Sequence, residues 1–350
     1  MMDEQIISFL STKMAVEDVD DSAIAVKVKG TIYAPVEKSI GEIKEYFSHT
    51  RYTPLFNEEN EQHVVQFGIY RKPDAKPKYW LNIILFLATI LSTILAGSLN
   101  SGGNPFENIS DLLLGVPFSL SIMSILTCHE LGHYFISRRE GMITTLPFFI
   151  PVPFHFLGTF GAVIRMKSIV PSRKALLNVG MSGPIAGFLV ALPISIIGIY
   201  LSEIGAAPET EGVLRLGDSL LFWIIAQLIH PSIPAGYDLY LHPVAFAGWL
   251  GLFVTSMNLI PIGQLDGGHV TFSLFLRKRR YLYLPIFGAL IALGLLWFGW
   301  YFWLLIALFI ARRDPVIQDS LTPLSRRERL YAIIPLVVLI LTFVPQPFVI

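Results

Sequence analysis

The sequence has a single cysteine, Cys128, in 350 residues. That excludes an internal disulfide framework and a zinc knuckle, which needs several thiolates. Charge is scarce too: 15% of residues are charged and 53% hydrophobic, where a soluble domain carries about 25% charged residues. Lysine plus arginine balance aspartate plus glutamate at 26 each, so no global basic excess points to nucleic acid as a partner. The amino terminus, MMDEQIISFL, lacks the basic region and small-residue cleavage site of a signal peptide. Membrane targeting is therefore expected from internal apolar segments, and the balance as a whole points to a multi-pass membrane protein.

Residues 1–75 read as a small soluble α+β domain. In AIAVKVKGTI, Ile24, Val26 and Val28 alternate with Ala25, Lys27 and Lys29, the period of a half-buried strand. VEKSIGEIKEYFSHT carries Ile40, Ile43 and Phe47 at helical spacing, and HVVQFGIY alternates again through Val65, Phe67 and Ile69. Nothing here has a catalytic pattern, and His49 and His63 read as solvated. RKPDAKPK (Arg71 to Lys78) is a basic linker into a membrane-embedded part, residues 76–350. Apolar blocks follow at Trp80–Leu99 and near 112–136, 146–164, 176–201, 218–229, 244–260, 281–311 and 331–349.

Basic residues cluster at 71–78, 138–139, 165–174, 277–280, 312–313 and 326–329. The positive-inside rule puts these loops on the cytoplasmic side. NSGGNPFENISD and SEIGAAPETEG contain no lysine or arginine and belong outside. Parity then requires 146–164 to dip in and return as a re-entrant strand or hairpin segment, in keeping with the three prolines of LPFFIPVPF. Residues 281–311, basic at both ends, read as two short spans turning near Gly299, and 218–229 as an external or interfacial element. The fold class is thus mainly α: a polytopic transmembrane bundle of about seven spans, give or take one, with a small N-terminal α+β domain. The cell membrane is the expected location.

Into this apolar background the chain sets LTCHELGHYF, Leu126 to Phe135. On a helix His129 and His133 share one face a turn apart and can take two corners of a zinc tetrahedron. Glu130 hangs beside the open position, where it can take a proton from the attacking water and later pass it to the leaving amine. A carboxylate at the centre of a span costs about 2.5–3.5 kcal/mol on insertion scales, so an ionisable group there is a functional candidate by default. Arg138 and Arg139 follow shortly, placing the site toward the cytoplasmic end of its span. A catalytic zinc needs a third protein ligand. The candidate is Asp266 in MNLIPIGQLDGGHV, where Pro261 breaks a helix and Gly267 and Gly268 permit a sharp turn. Asp266 could instead act only as an N-cap. Block 244–260 runs inward, which brings Asp266 to the same depth as the histidines.

HELGH in one span with NLIPIGQLDGG in a later one resembles the site-2 proteases, the intramembrane zinc metalloproteases, over about Trp80 to the C-terminus. The pattern is most similar to the branch typified by the chloroplast ethylene-dependent gravitropism-deficient yellow-green proteins. GTFGAVIRMKS (Gly158 to Ser168), GPIAG (Gly183 to Gly187), the N-terminal domain and the late loop DPVIQDSLTPLS carry that likeness. The resemblance implies one catalytic zinc on His129, His133 and Asp266, with Glu130 as acid/base and Asn258 as a polar group near the scissile carbonyl. The substrate would be a transmembrane protein, cleaved in or beside its span within the lipid. No PDZ-like insertion and no CBS pair is seen, which leaves the N-terminal domain to recruit substrate or regulator.

FLGTFGAVIRM, with Gly158, Thr159, Phe160 and Gly161, could form a strand beside the zinc whose edge receives an unwound substrate, or could simply pack the site. Gly183 and Gly187 read as a small-residue pair for helix packing. His269 is given no zinc role, since a fourth protein ligand would close the site; Cys128 reads as a small buried side chain. The competing functions are a membrane zinc carrier, a prenyl-protein protease with a glutamate ligand, and a site-2-like pseudoprotease scaffold.

Overall fold

The computed structural model describes residues 4–21, 26–50, 52–69, 79–207 and 215–349. The amino-terminal part comprises α1 (Glu4–Ser11), β1 (Met14–Asp21), β2 (Val26–Ile32), α2 (Val36–Phe47), β3 (Tyr52–Glu59) and β4 (Gln62–Ile69). The four strands form one antiparallel sheet in the order β1-β2-β4-β3. The alternating and helical patterns expected from sequence fall on β2, β4 and α2; Ile24 and the linker RKPDAKPK lie outside the described residues. Ile40, Ile43 and Phe47 of α2 pack on Val28, Phe56, Val65 and Phe67. His63 corrects its solvated reading, because its Nδ1 accepts the Ile32 N–H at 3.0 Å; His49 is exposed.

A late segment ties this sheet to the rest of the chain. Phe56, in edge strand β3, donates its N–H to Gln318 O at 2.7 Å and accepts from Ser320 N at 3.1 Å, while Gln318 N reaches Val170 O at 2.8 Å. Asp319 holds the segment in shape. Its Oδ1 accepts the N–H groups of Leu321 and Thr322, its Oδ2 accepts the Thr322 hydroxyl, and Lys44 of α2 lies 3.4 Å away. Asp319 is buried, and hydrogen bonds to a charged group contribute about 1.5–3 kcal/mol. Asp319→Ala is therefore expected to release the strap and expose it to limited proteolysis at temperatures where the wild type resists cleavage; equal protection would show that the bonds to Phe56 and Val170 suffice to hold it.

The remainder is helical, with small hairpins. It contains α3 (Tyr79–Asn100), α4 (Val116–Arg139), β5 (Phe148–Pro151), β6 (Thr159–Val163), α5 (Arg173–Tyr200), β7 (Glu203–Ala206), β8 (Arg215–Leu216), α6 (Leu220–Ile229), β9 (Tyr237–Tyr240) and α7 (Pro243–Leu259). After these come α8 (Asp266–Phe275), α9 (Tyr283–Gly294), α10 (Gly299–Ile310), α11 (Arg326–Tyr331), α12 (Ile334–Thr342) and β10 (Phe348–Val349). Three helical stretches are long and apolar enough to cross a membrane by length and composition: Tyr79–Asn100, Ile109–Arg139 and Arg173–Tyr200. The other apolar helices are shorter. The expected turn near Gly299 falls between α9 and α10, but the last apolar block yields only the nine residues of α12, because Pro345 and Pro347 deny the chain further helix.

α5 packs on both α4 and α7, and these three helices form the centre. Close approach is built into the sequence. A Cβ at Gly132 of α4 would meet Ser182 O at 2.6 Å, and one at Gly248 of α7 would meet the Ser195 hydroxyl at 2.5 Å. Trp249 lies at the centre of the apolar core with its indole donating to Gly217 O at 2.7 Å.

The segment expected to dip into the membrane forms the β5–β6 hairpin, fastened along α3. Asn82 donates to Leu146 O and Pro147 O at 3.0 and 2.8 Å, the Ser92 hydroxyl to Gly158 O at 2.7 Å, and Asn100 to Phe156 O at 2.7 Å. Asn82 and Asn100 are eighteen residues apart, about 27 Å along a helix. The hairpin thus runs most of the length of α3, and side-chain donors satisfy carbonyls that apolar surroundings would leave unpaired. Asn82→Leu should leave two carbonyls orphaned, at about 1–3 kcal/mol for a buried group. A lower unfolding temperature and faster amide exchange in 146–163 than in α5 are the expected readings.

Candidate metal centre

His129 and His133 project from the same face of α4, the consequence of a four-residue spacing on a regular helix. Asp266 arrives from elsewhere. α7 ends at Leu259, Ile260 turns out of helical geometry ahead of Pro261, and Gly263 adopts φ +56°. The loop then doubles back so tightly that a Cβ at Gly267 would lie 1.9 Å from Leu259 O. Asp266 is the first residue of α8, whose N-cap position is Leu265. The reading of Asp266 as the capping residue is thereby set aside.

These three side chains converge. His129 Nε2 lies 3.2 Å from His133 Nε2, Asp266 Oδ2 lies 3.4 Å from His129 Nε2, and Asp266 Oδ1 lies 3.3 Å from His133 Nε2. Donor atoms about 2.05 Å from a tetrahedral zinc stand about 3.3 Å apart; the His–His edge matches that spacing and each ring meets one oxygen of the carboxylate at the same range, so the three side chains can close on such an ion. Both rings are buried and Asp266 is largely so. Two imidazoles and a carboxylate are also the donor types of open, three-ligand zinc sites. Among the described residues this is the one such cluster.

The surroundings orient the rings. His133 Nδ1 lies 2.8 Å from Val179 O on α5; donating there leaves Nε2 free to ligate, the common arrangement for a metal-bound histidine. Glu130 is buried beside the cluster, and its carboxylate lies near the backbone N–H of Ile164, just past β6. Asn258 is in the last turn of α7, half-buried, and no hydrogen-bond partner is found for its amide among the described residues.

Of the strand residues, Gly158 packs against α3, where a Cβ would sit 2.6 Å from Ser92 O, and its φ is +71°. Thr159 is buried with its hydroxyl on Ile150 O at 2.9 Å. Phe160 is exposed, and Gly161 faces open space. None of these four is shown in contact with Glu130; the backbone N–H near its carboxylate is that of Ile164.

Sequence reasoning underestimated the GPIAG glycines. A Cβ at Gly183 would lie 2.0 Å from His133 Nε2, and one at Gly187 would lie 3.1 Å from His129 Nδ1. They do serve helix packing, but what packs against them is the pair of imidazoles; their spacing of four, matching that of the histidines, was the available signal. Cys128 is half-buried rather than buried. His155, His230 and His242 lie at loops or helix ends, where the ring nitrogens of His155 and His242 accept backbone N–H groups and His230 Nε2 lies 3.0 Å from Ile199 O.

Residues 117–298, about half of the chain, match peptidase family M50. The chain is 31% identical over 252 residues to "Probable zinc metalloprotease EGY2, chloroplastic" of Arabidopsis thaliana, covering 69% of this chain and 44% of that protein. It is 32% identical over 238 residues to "Probable zinc metalloprotease EGY1, chloroplastic" of Oryza sativa subsp. japonica, covering 58% and 40%. It is also 26% identical over 297 residues to "Probable zinc metalloprotease EGY3, chloroplastic" of Oryza sativa subsp. indica, covering 77% and 49%. The chain spans less than half the length of these relatives. No solved structure matches it. The relatives' names say chloroplastic, which lends no support to the cell membrane in particular; the family and the apolar helices support a membrane protein. A HExxH helix and a distant aspartate meeting in one buried cluster, within a matched stretch that takes in both, lead to one statement of kinship: the chain belongs to peptidase family M50.

Proposed function

We propose that this chain is an intramembrane zinc metalloprotease that hydrolyses a peptide bond within or beside a transmembrane segment of a membrane-protein substrate. The observation that carries this reading is the convergence of His129, His133 and Asp266, with the two Nε2 atoms 3.2 Å apart and each within 3.3–3.4 Å of one oxygen of the Asp266 carboxylate, next to a buried Glu130. Zinc, when bound, supplies a fixed positive charge and Lewis-acid polarisation at the scissile carbonyl.

The chain's own residues do the rest. Glu130, buried beside the ligands, accepts a proton from the attacking water and delivers it to the leaving nitrogen. Asn258, with an uncommitted amide, donates to the carbonyl oxygen as charge develops there. The hairpin gives the substrate a partner: among the described residues β6 pairs with β5 alone, and its other edge is the one to receive an extended segment. Extension matters because an α-helix shields its peptide bonds. In this reading the bundle has about seven spans, the centre opens toward the cytoplasmic side where Arg138 and Arg139 follow the HELGH motif, and the amino-terminal sheet recruits substrate or regulator.

The test is to map new peptide termini by mass spectrometry in membranes containing the wild type or Asp266→Ala, alongside zinc content per purified chain. One zinc per wild-type chain, none in the variant, and new termini only with the wild type are expected. A purified wild type that takes up no metal would overturn the reading.

A further inference from the structure

The basic run RKRR, Arg277 to Arg280, would ordinarily stay in water and mark the cytoplasmic side. One of its members does not. Arg279 is 0% exposed, among the largest fully buried side chains of the protein. The chain reaches this position through Leu276, at φ +51°, which turns it sharply beneath the end of α8. A guanidinium has no reason to leave water unless its donors find fixed acceptors.

Those acceptors are the two ends of the loop that carries Asp266. Arg279 Nη1 donates to Gly263 O at 3.0 Å and to Gly268 O at 2.7 Å, so one nitrogen closes the loop across its mouth. Arg279 Nη2 donates to Asp314 Oδ1 at 2.9 Å, and Asp314 accepts Arg280 Nη2 with its other oxygen at 2.6 Å. The guanidinium lies over the Phe272 ring at 4.8 Å and near the Tyr283 ring at 5.8 Å. The Tyr283 hydroxyl in turn accepts the Gly263 N–H at 3.4 Å. Gly268 has no room for a side chain, since a Cβ there would lie 2.4 Å from Gly263 O. The carbonyls of residues 263 and 268 thus meet at a single cation, with Asp266 between them in the chain.

We propose that Arg279 is a positioning residue for the third metal ligand: its guanidinium, anchored by Asp314, fixes the glycine loop and hence the direction in which Asp266 leaves it. This rests on the metal reading above. The consequence is specific. The histidines are set by α4 and by Val179 and do not depend on Arg279, whereas the carboxylate does. Weakening the clamp should convert a three-ligand site toward a two-histidine one without disturbing α4 or α5.

The experiment uses the full chain in detergent, as wild type, Arg279→Met, Arg279→Lys, Asp314→Asn and the control Arg277→Gln, at an exposed position of the same basic run. Competition with a chromophoric chelator gives zinc affinity, the visible absorption of the cobalt-loaded protein reports coordination, and amide exchange of the metal-free protein reports loop order. Arg279→Met is expected to bind zinc about 10–100-fold more weakly, the range seen when an outer-shell partner of a metal ligand is lost. Its cobalt bands should lose intensity as the site opens, and its exchange should rise in 261–268 but not in α4. Arg279→Lys keeps the charge without the fork and should recover part of the affinity. Asp314→Asn should shift in the same direction, and Arg277→Gln should match the wild type.

Wild-type affinity, cobalt spectrum and exchange in a folded Arg279→Met would overturn the proposal. If that variant does not fold, the same three wild-type readings in Asp314→Asn would do so. If the wild type takes up no metal, the metal reading fails by itself, and exchange in 261–268 still decides whether Arg279 fixes the loop.

Discussion

Glu130→Gln is expected to retain one zinc per chain and to lose peptide hydrolysis by about 10²–10⁴-fold, the span that general acid–base catalysis contributes. The substitution preserves volume at a buried position, and the amide keeps an oxygen where the carboxylate had one. None of the three ligands is touched, so the triangle of His129, His133 and Asp266 should keep its dimensions. What disappears is a group that can take up a proton and release it. The check is a paired measurement on one preparation: zinc content of the purified chain, and the rate at which new termini appear in membranes containing it. Unimpaired hydrolysis with bound zinc would remove Glu130 from the mechanism. Loss of both together would mean that the residue shapes the site rather than acts in it.

How much of this was legible beforehand follows from how far apart in the chain the partners are. The HELGH pair was readable because helical periodicity alone puts residues 129 and 133 on one face. Asp266 was readable because Pro261 and the paired glycines announce a break in the helix next to an otherwise unexplained carboxylate. The β5 strand was concealed by the prolines of LPFFIPVPF, which suggest irregular chain; what makes it a strand is β6 beside it and the donors of α3. β3 was hidden in the same way by Pro54, which is tolerated because this strand lies at the sheet edge. The strap from Gln318 to Ser320 could not be foreseen, since its partner Phe56 is more than 260 residues away and single-strand pairing leaves no local signature. Arg279 was hidden by its company: in a run of four basic residues, composition cannot tell which one turns inward.

The two GPIAG glycines allow a sharper test, because they differ in how much room they leave. At Gly183 a methyl group would fall 2.0 Å from His133 Nε2 and 2.4 and 2.5 Å from the neighbouring ring carbons, well inside contact distance. Either the ring swings away or α5 withdraws from α4. The ring is the softer of the two, because α5 is also held by α7 on its other side, and swinging it sacrifices both the ligand nitrogen and the bond from Nδ1 to Val179 O. At Gly187 the nearest atoms of His129 would be 3.1 and 3.2 Å away, a distance that a shift of a few tenths of an ångström relieves. Gly183→Ala is therefore expected to weaken zinc binding by about 100-fold or more, beyond the usual loss for an outer-shell change because a ligand itself is displaced. Gly187→Ala should weaken it by about tenfold or less. Both proteins should unfold as cooperatively as the wild type, since neither methyl leaves a buried polar group newly unpaired apart from the displaced ring. The same zinc competition assay on the two variants decides it. Equal affinities, or a larger loss at Gly187, would mean that α5 moves as a body and that the histidine rings are not what these glycines accommodate.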